Sequence, residues 1–194
     1  MTDTMDKAAL RKQLRQKRRD HVAALPDAMR ALVFHRPPAT LLDMVPDGAT
    51  IGLYRAGPTE APAAAYAKFF QERGHALALP RFSSRNAAME FAAFADPFDE
   101  SDLEIGPFGL LQPRDVADAL VPDVLFVPLL GFTQNGHRLG QGGGHYDRWF
   151  AANPEASAIG LGWDCQLVDN VPIEAHDHPM DAIVTPTRLY GPFS

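Results

Sequence analysis

Short apolar runs recur along the chain, separated by stretches in which apolar residues follow a helical period. Such runs are typical of strands that are buried on both faces of a sheet. They occupy residues 50–54, 76–80, 124–130, 158–162 and, as the last strand, 182–185, with a less regular run at 88–92. Strands that alternate with helices need crossover connections. The pattern therefore predicts a single α/β domain with a mostly parallel central sheet and helices on both faces, a three-layer αβα arrangement.

The strongest helical signal lies near the N-terminus, where residues 7–19 are rich in helix formers and contain no Gly, Pro or β-branched residue. Leu10 and Leu14 lie one turn apart, so this helix has a thin apolar stripe edged with cations. A second short helix is expected to start at Pro26 and to end at residues 37–38. Two later helices are predicted over residues 60–73, with Gly74 as the stop, and 144–152.

Charge is unevenly distributed along the 194 residues, whose net charge is −6. Residues 1–36 carry nine Lys/Arg against four Asp/Glu, whereas residues 37–194 carry nine against twenty. The acidic body argues against broad nucleic-acid binding, which needs a basic face. The basic N-terminal helices are expected to pack on the domain and to supply cations to a phosphorylated ligand; an RNA-binding arm is the alternative.

The rest of the composition favours a cytoplasmic protein. No apolar run approaches the roughly 20 residues that span a bilayer, and the first residues lack the apolar core of a secretory signal. The single cysteine, Cys165, cannot form an internal disulfide, which fits a reducing compartment. We expect a cytoplasmic monomer that binds a small-molecule substrate rather than nucleic acid or a membrane.

A glycine-rich segment after the apolar run at residues 124–130 carries the clearest chemical signal. Four of the 15 glycines fall within residues 140–144, between Arg138 and Arg148. Glycine allows positive φ and a close approach of the backbone to a ligand. A glycine loop that leads from a strand into a helix points several N–H groups at one spot, which favours an anion such as phosphate. The segment predicts a phosphate-binding loop, or else a tight turn in which glycine avoids clashes.

Two familiar phosphate-binding motifs do not fit this segment. A P-loop requires a lysine directly after its last glycine, and no lysine follows any glycine here. A dinucleotide fingerprint would place a third glycine at the position of His145. Arg138 and Arg148 are suited to bidentate hydrogen bonds with phosphate oxygens. Asp147 is suited to Mg²⁺, or is a surface carboxylate that the helix dipole stabilises.

The same segment resembles the 5-formyltetrahydrofolate cyclo-ligase family, whose members are also called 5,10-methenyltetrahydrofolate synthetases. The match consists of Val127-Pro128, Gly131-Phe132, Gly136 and the stretch Arg138-Leu-Gly-Gln-Gly-Gly-Gly-His-Tyr-Asp-Arg148. Shorter similarities extend over nearly the whole chain, at Lys7-Ala-Ala-Leu-Arg11, Leu79-Pro80-Arg81, Met89-Glu90-Phe91, Val171-Pro172 and His176-Asp177.

The resemblance implies an ATP- and Mg²⁺-dependent ligase that converts 5-formyltetrahydrofolate to 5,10-methenyltetrahydrofolate and releases ADP and phosphate. In the family the γ-phosphoryl group passes to the formyl oxygen, N10 of the folate attacks the activated carbon, and phosphate leaves as the ring closes. Such chemistry needs positioning and charge neutralisation more than a protein nucleophile. The chain accordingly offers cations, glycines and a carboxylate.

Matching positions carry the family roles onto this chain. The resemblance implies that ATP is bound by Lys7, Arg11, Arg138, Leu139, Gly140, Gln141, Gly142, Gly143, Gly144, His145 and Tyr146. The catalytic residues among these would be Arg138, Gln141, His145 and Tyr146. The pterin side of the site would be formed by Tyr54, Arg55 and Glu60. The metal ligands would be Asp147 and Asp181.

Three positions depart from the family pattern. Gln141 stands where Tyr or Arg is usual, His145 where Tyr is usual, and Gln112 replaces a common Glu. These departures motivate a second hypothesis, a non-catalytic folate- or nucleotide-binding paralogue that keeps the fold. If His145 contacts phosphate, activity is expected to fall as the ring deprotonates near its ordinary pKa of about 6.5.

Overall fold

The computed structural model describes residues 6–193, except for the side chain of Ala31. Its helices are α1 (Lys7–Ala24), α2 (Asp27–Leu32), α3 (Ala39–Leu42), α4 (Ala64–Gln71) and α5 (His145–Ala152), with a 3-10 turn at Asp164–Gln166. Its strands are β1 (Ile51–Gly52), β2 (Leu77–Arg81), β3 (Glu90–Ala93), β4 (Leu103–Ile105), β5 (Leu111–Pro113), β6 (Val124–Pro128), β7 (Gly131–Phe132), β8 (Arg138–Leu139), β9 (Ser157–Leu161), β10 (Ala182–Val184) and β11 (Leu189–Tyr190). No helix within this range is long and apolar enough to cross a lipid bilayer.

Seven strands form one central sheet in the order β11-β10-β9-β6-β1-β2-β3. The inner strands run parallel to one another, whereas the edge strands β3 and β11 pair antiparallel with β2 and β10. The predicted α/β fold with a mostly parallel sheet is confirmed. The run at residues 182–185 is not the last strand, because the chain turns back after β10 and adds β11 at the sheet edge.

Helices cover both faces of the sheet because successive side chains of a strand point to opposite sides. In β6, Phe126 packs in the core on the side of α4, whereas Leu125 packs in the core on the side of α5. The helices contribute Phe70 of α4 and Phe150 of α5, and all four side chains are at most 1% exposed. Burial of each such side chain contributes roughly 1.5–3 kcal/mol, which holds the three layers together.

The apolar stripe predicted for the first helix is confirmed, and α1 runs beyond the predicted end to Ala24. Leu10 and Leu14 of this stripe are buried against Leu130 and Leu139. Leu130 follows β6 and Leu139 lies in β8, directly before the glycines. Packing of the stripe therefore places the cationic edge of α1 beside the glycine-rich segment.

Prolines move two helix boundaries from their predicted positions. α4 begins at Ala64 rather than at Glu60, because the residue before Pro62 is disfavoured in a helix. Glu60 consequently stays in the loop that follows β1. Pro38 precedes and begins α3 rather than ending α2. Gly74, with φ +84°, stands after α4 as predicted.

Candidate functional site

The carboxyl ends of β1, β2 and β6 open onto a cavity of about 850 Å³. Ligands of open α/β sheets bind at this end of the parallel strands. One wall is α1, a second is the turn between β4 and β5, and a third is the glycine-rich segment, residues 138–147. All predicted ATP-site and pterin-side residues line this cavity, as does Asp147, whereas Asp181 does not.

The glycine-rich segment is held by two arginines of α1. The Nε of Arg11 donates to the carbonyl oxygen of Gly140 over 3.0 Å. Arg15 donates to both the side-chain and the backbone oxygen of Gln141, each over 3.1 Å. Gly142 has a φ of +110°, a conformation that glycine adopts readily. Arg15 was not predicted as a site residue from the sequence. It lies one turn beyond Arg11, a spacing that places both arginines on one face of the helix.

A short ion pair stands where the segment enters α5. The guanidinium of Arg138 donates to Oδ1 of Asp147 over 2.6 Å, and the Arg138 side chain is 4% exposed. The backbone N–H of His178 donates to the same carboxylate oxygen over 3.1 Å. Nε of Arg138 is buried and has no hydrogen-bond partner in the described part of the chain. Arg138 thus keeps a buried donor without a partner, and its Nη1 lies close to Gly140.

Asp181 does not meet Asp147, so that part of the predicted metal site is corrected. Asp181 precedes β10, and its carboxylate accepts the N–H of Ala158 at the start of β9, at the opposite end of the parallel strands from the cavity. The acidic residues that share the cavity with Asp147 are Glu60, Glu174 and one further aspartate, Asp177. Asp177 directly precedes His178, whose N–H contacts Asp147.

Lys7 reaches the cavity, where two carboxylates bind its ammonium group. Its Nζ lies 2.8 Å from Asp177 and 2.9 Å from Glu174. Burial opposes the charge, but these hydrogen bonds prevail and raise the pKa of Lys7. With His176, the two carboxylates form a compact group of potential metal ligands. The ammonium group of Lys7, which was predicted to contact phosphate, is therefore bound by carboxylates of the loop at residues 171–178.

The pterin-side residues stand at one end of the cavity. The hydroxyl of Tyr54 donates to the carbonyl of Ala61 over 2.6 Å, and burial raises the pKa of this phenol well above its usual range. Glu60 Oε2 accepts the N–H of Gly57 over 2.8 Å, which leaves Oε1 facing the cavity side of α1. Arg55, on the rim, pairs with Glu100.

Arg18 lines the same end and was missed in the sequence. Its side chain is 8% exposed, and its Nη1 lies 3.8 Å from Oε1 of Glu60. The spacing along the sequence could have indicated this role, because Arg18 lies four residues after Leu14 and four before Val22. The buried residues of α1 are Leu10, Leu14, Arg18 and Val22. A charged residue within an apolar stripe is buried for a reason other than hydrophobicity.

His145 belongs to an aromatic wall. Its ring centroid lies 4.9 Å from that of Phe82 and 5.7 Å from that of Phe108. Nη2 of Arg148 lies 3.1 Å from Nδ1 of His145. Since arginine only donates, Nδ1 accepts and the proton of the neutral ring is on Nε2. Burial, and then the charge of Arg148, lower the pKa of His145, which weakens the predicted role as a cationic phosphate contact.

The presence of glutamine rather than glutamate at position 112 is explained by its hydrogen bonds. Its side chain is buried and pairs with the peptide groups of Phe82: Oε1 accepts the N–H and Nε2 donates to the carbonyl oxygen, each over 3.1 Å. A glutamate would accept the N–H but could not donate to the carbonyl. The glutamine therefore joins the backbone directly after β2 to β5.

The fold and the cavity together define an α/β domain that is suited to an anionic ligand carrying aromatic or heterocyclic rings. The model of the 5-formyltetrahydrofolate cyclo-ligase family matches residues 3–186. The chain belongs to this family.

Individual relatives agree with the family match. The 5-formyltetrahydrofolate cyclo-ligase of Escherichia coli K12 is 37% identical over 103 residues, which are 50% of this chain and 57% of the relative. The chain thus spans little more than half the length of this relative in the match. The enzyme of the same name from Mycolicibacterium smegmatis is 29% identical over 190 residues, or 94% of each chain.

Solved structures share the fold. A 5,10-methenyltetrahydrofolate synthetase of Aquifex aeolicus matches with a TM-score of 0.74 and 23% identity, over 98% of this chain and 94% of that one. One from Mycoplasma pneumoniae matches with a TM-score of 0.66 and 23% identity, over 92% and 98%.

Proposed function

We propose that this protein catalyses the ATP- and Mg²⁺-dependent cyclisation of 5-formyltetrahydrofolate to 5,10-methenyltetrahydrofolate, with release of ADP and phosphate. One observation carries the proposal: a single cavity joins a glycine-rich segment bordered by cations to an end that holds a carboxylate and aromatic rings. Its volume of about 850 Å³ lies within the range of small-molecule sites. Family membership supplies the reaction class.

The two ends of the cavity suit the two substrates. Residues 138–144 and Arg11 would bind the phosphates of ATP through backbone N–H groups and guanidinium groups. Phe82, Phe108 and His145 would contact the rings of the folate. Glu60, whose Oε1 remains available, would accept the 2-amino and N3 hydrogens of the pterin.

Asp147 and Asp177 fit a magnesium ion better than the pair predicted from the sequence. Both line the cavity, and the hydrogen bonds of Asp147 to other described residues use only Oδ1, so its Oδ2 is available. Mg²⁺ commonly takes one or two carboxylates together with substrate phosphates. When bound, the ion would neutralise phosphate charge, and the ammonium group of Lys7 would move from Asp177 toward the phosphates.

The remaining chemistry needs donors rather than a nucleophile. Transfer forms a bond between the formyl oxygen and phosphorus, and the bond to ADP breaks. Attack by N10 then forms the new carbon–nitrogen bond, N10 loses its proton, and phosphate leaves with the formyl oxygen. Arg138, with its unpaired Nε, would stabilise the negative charge. Burial raises the pKa of Tyr146, so its hydroxyl stays protonated as a second donor.

Absorbance of the methenyl product tests the proposal directly. Purified protein with 5-formyltetrahydrofolate, ATP and Mg²⁺ should form this product, and omission of ATP or of Mg²⁺ should abolish its formation. Binding of both substrates without product would favour the non-catalytic paralogue instead. Absence of folate binding would refute both functions.

A further inference from the structure

Arg18 is a buried cation for which the chain supplies few partners. Its side chain is 8% exposed, and its Nε and Nη1 are buried without a hydrogen-bond partner among residues 6–193. The nearest carboxylate oxygen, on Glu60, lies at 3.8 Å, too far for a hydrogen bond. Arg18 also lines the cavity.

Such an arrangement is costly unless a ligand completes it. Arginine remains charged at neutral pH, even though burial lowers the pKa of Arg18. Buried polar groups are nearly always hydrogen-bonded, so an exception calls for an explanation. A ligand with an acceptor oxygen beside Glu60 would supply the missing partner.

Arg18 and Glu60 together present a donor next to an acceptor. A 2-amino-4-oxopyrimidine ring presents the complementary edge: a 4-oxo acceptor next to the N3 and 2-amino donors. We infer that Arg18 is a specificity-determining residue that donates to the 4-oxo group while Glu60 accepts from the other two positions. This inference rests on the proposed function, since that ring is the pyrimidine part of a folate.

The pairing predicts discrimination at the 4-position and at N3 of the ligand. In a 4-amino analogue the 4-oxo acceptor is replaced by a donor, which would face the donors of Arg18, and N3 loses its hydrogen and becomes an acceptor, which would face Glu60. A hydrogen bond to a charged group contributes about 1.5–3 kcal/mol, which corresponds to roughly tenfold to a hundredfold in affinity. A purely structural role for Arg18 predicts no contribution from this residue to the preference.

Calorimetric binding of a matched ligand pair tests the inference without turnover. The ligands are 5-formyltetrahydrofolate and its analogue with a 4-amino group in place of the 4-oxo group. The native protein should prefer the 4-oxo ligand by about tenfold or more. Arg18→Met should reduce this preference by about threefold or more, since the share from Glu60 and N3 remains, whereas Arg19→Met, an exposed arginine of the same helix, should retain it in full.

The ratio of the two affinities separates the outcomes. An unchanged ratio in Arg18→Met would overturn the inference, while binding of the folate would leave the proposed function standing. No binding of 5-formyltetrahydrofolate by the native protein would refute the proposed function itself. Arg18→Lys keeps the buried charge without the planar fork and should retain part of the preference, which covers the case in which Arg18→Met does not fold.

Discussion

The imidazole of His145 is fixed by three neighbours. Arg148 donates to its Nδ1, and the rings of Phe82 and Phe108 pack against it at 4.9 and 5.7 Å. A neutral ring in an aromatic wall contributes contact area rather than charge. His145 thus departs from the family pattern but keeps the aromatic character of the usual tyrosine.

Substitution by phenylalanine tests this role. His145→Phe keeps a ring in the wall, so the KM for 5-formyltetrahydrofolate should stay within about threefold of the native value. His145→Ala removes the ring and should raise the KM by roughly three- to tenfold, since aromatic pairs contribute about 0.5–1.5 kcal/mol beyond area burial. Equal losses in both variants would show that the imidazole nitrogen, not the ring, is required.

Gln112 is a second residue that departs from the family pattern, and its role follows from its hydrogen bonds to the backbone of Phe82. Gln112→Glu would leave the carbonyl oxygen of Phe82 without its donor and would bury a carboxylate. We expect the free energy of unfolding to fall by about 1–3 kcal/mol, measured by urea denaturation. Gln134→Glu makes the same change at an exposed position and should have little effect. Equal stability of the two variants would contradict the structural role of Gln112.

At the scale of elements, α1 serves both as a core helix and as a clamp on the glycine-rich segment. Its stripe packs on Leu130 and Leu139, while Arg11 and Arg15 hold the backbone and side chain of the segment. The glycines alone would leave this backbone many conformations. A helix from the other end of the chain supplies the restraint.

Removal of one clamp should weaken ATP binding. Arg11→Met eliminates the contact to Gly140 and the cation that we propose to contact the ATP phosphates, so the KM for ATP should rise by about ten- to a hundredfold. Lys12→Met, exposed on the same helix, serves as the control and should leave the KM unchanged. Steady-state kinetics at varied ATP measure both. Identical values in the two variants would contradict the clamp.

At the scale of the whole molecule, the cavity is assembled from the loop after β1, the hairpin β4–β5, the glycine-rich segment and the loop at residues 171–178. The contact between Lys7 and Asp177 joins residues 170 positions apart. The metal site that we propose likewise joins α5 to a loop that follows β9. Its composition depends on how these segments meet.

Three matched substitutions test the proposed metal ligands. Asp147→Asn and Asp177→Asn should raise the Mg²⁺ concentration for half-maximal turnover by about tenfold or more, since each removes a charged ligand. Asp181→Asn should leave that concentration unchanged. Thermal unfolding separates metal effects from instability, because Asp147 also pairs with Arg138. Shifts in Asp147→Asn and Asp181→Asn, with none in Asp177→Asn, would restore the pair predicted from the sequence.

By itself the sequence determined the features that are written locally along the chain. The buried strands, the stripe of α1 and the glycine-rich segment each follow from composition or period over a few residues, and the α/β fold follows from their alternation. That Arg11 and Arg138 would face one cavity was anticipated only through the family resemblance, because spacing along the chain does not relate residues so far apart.

Only the tertiary structure decided which distant side chains meet. It brought the N–H of His178 to Asp147, paired Gln112 with Phe82, and placed Arg18 beside Glu60. Each of these contacts joins residues about 30 or more positions apart. Periodicity describes the face on which a side chain lies, but not the partner that packing brings to that face, and the partner determines the chemistry.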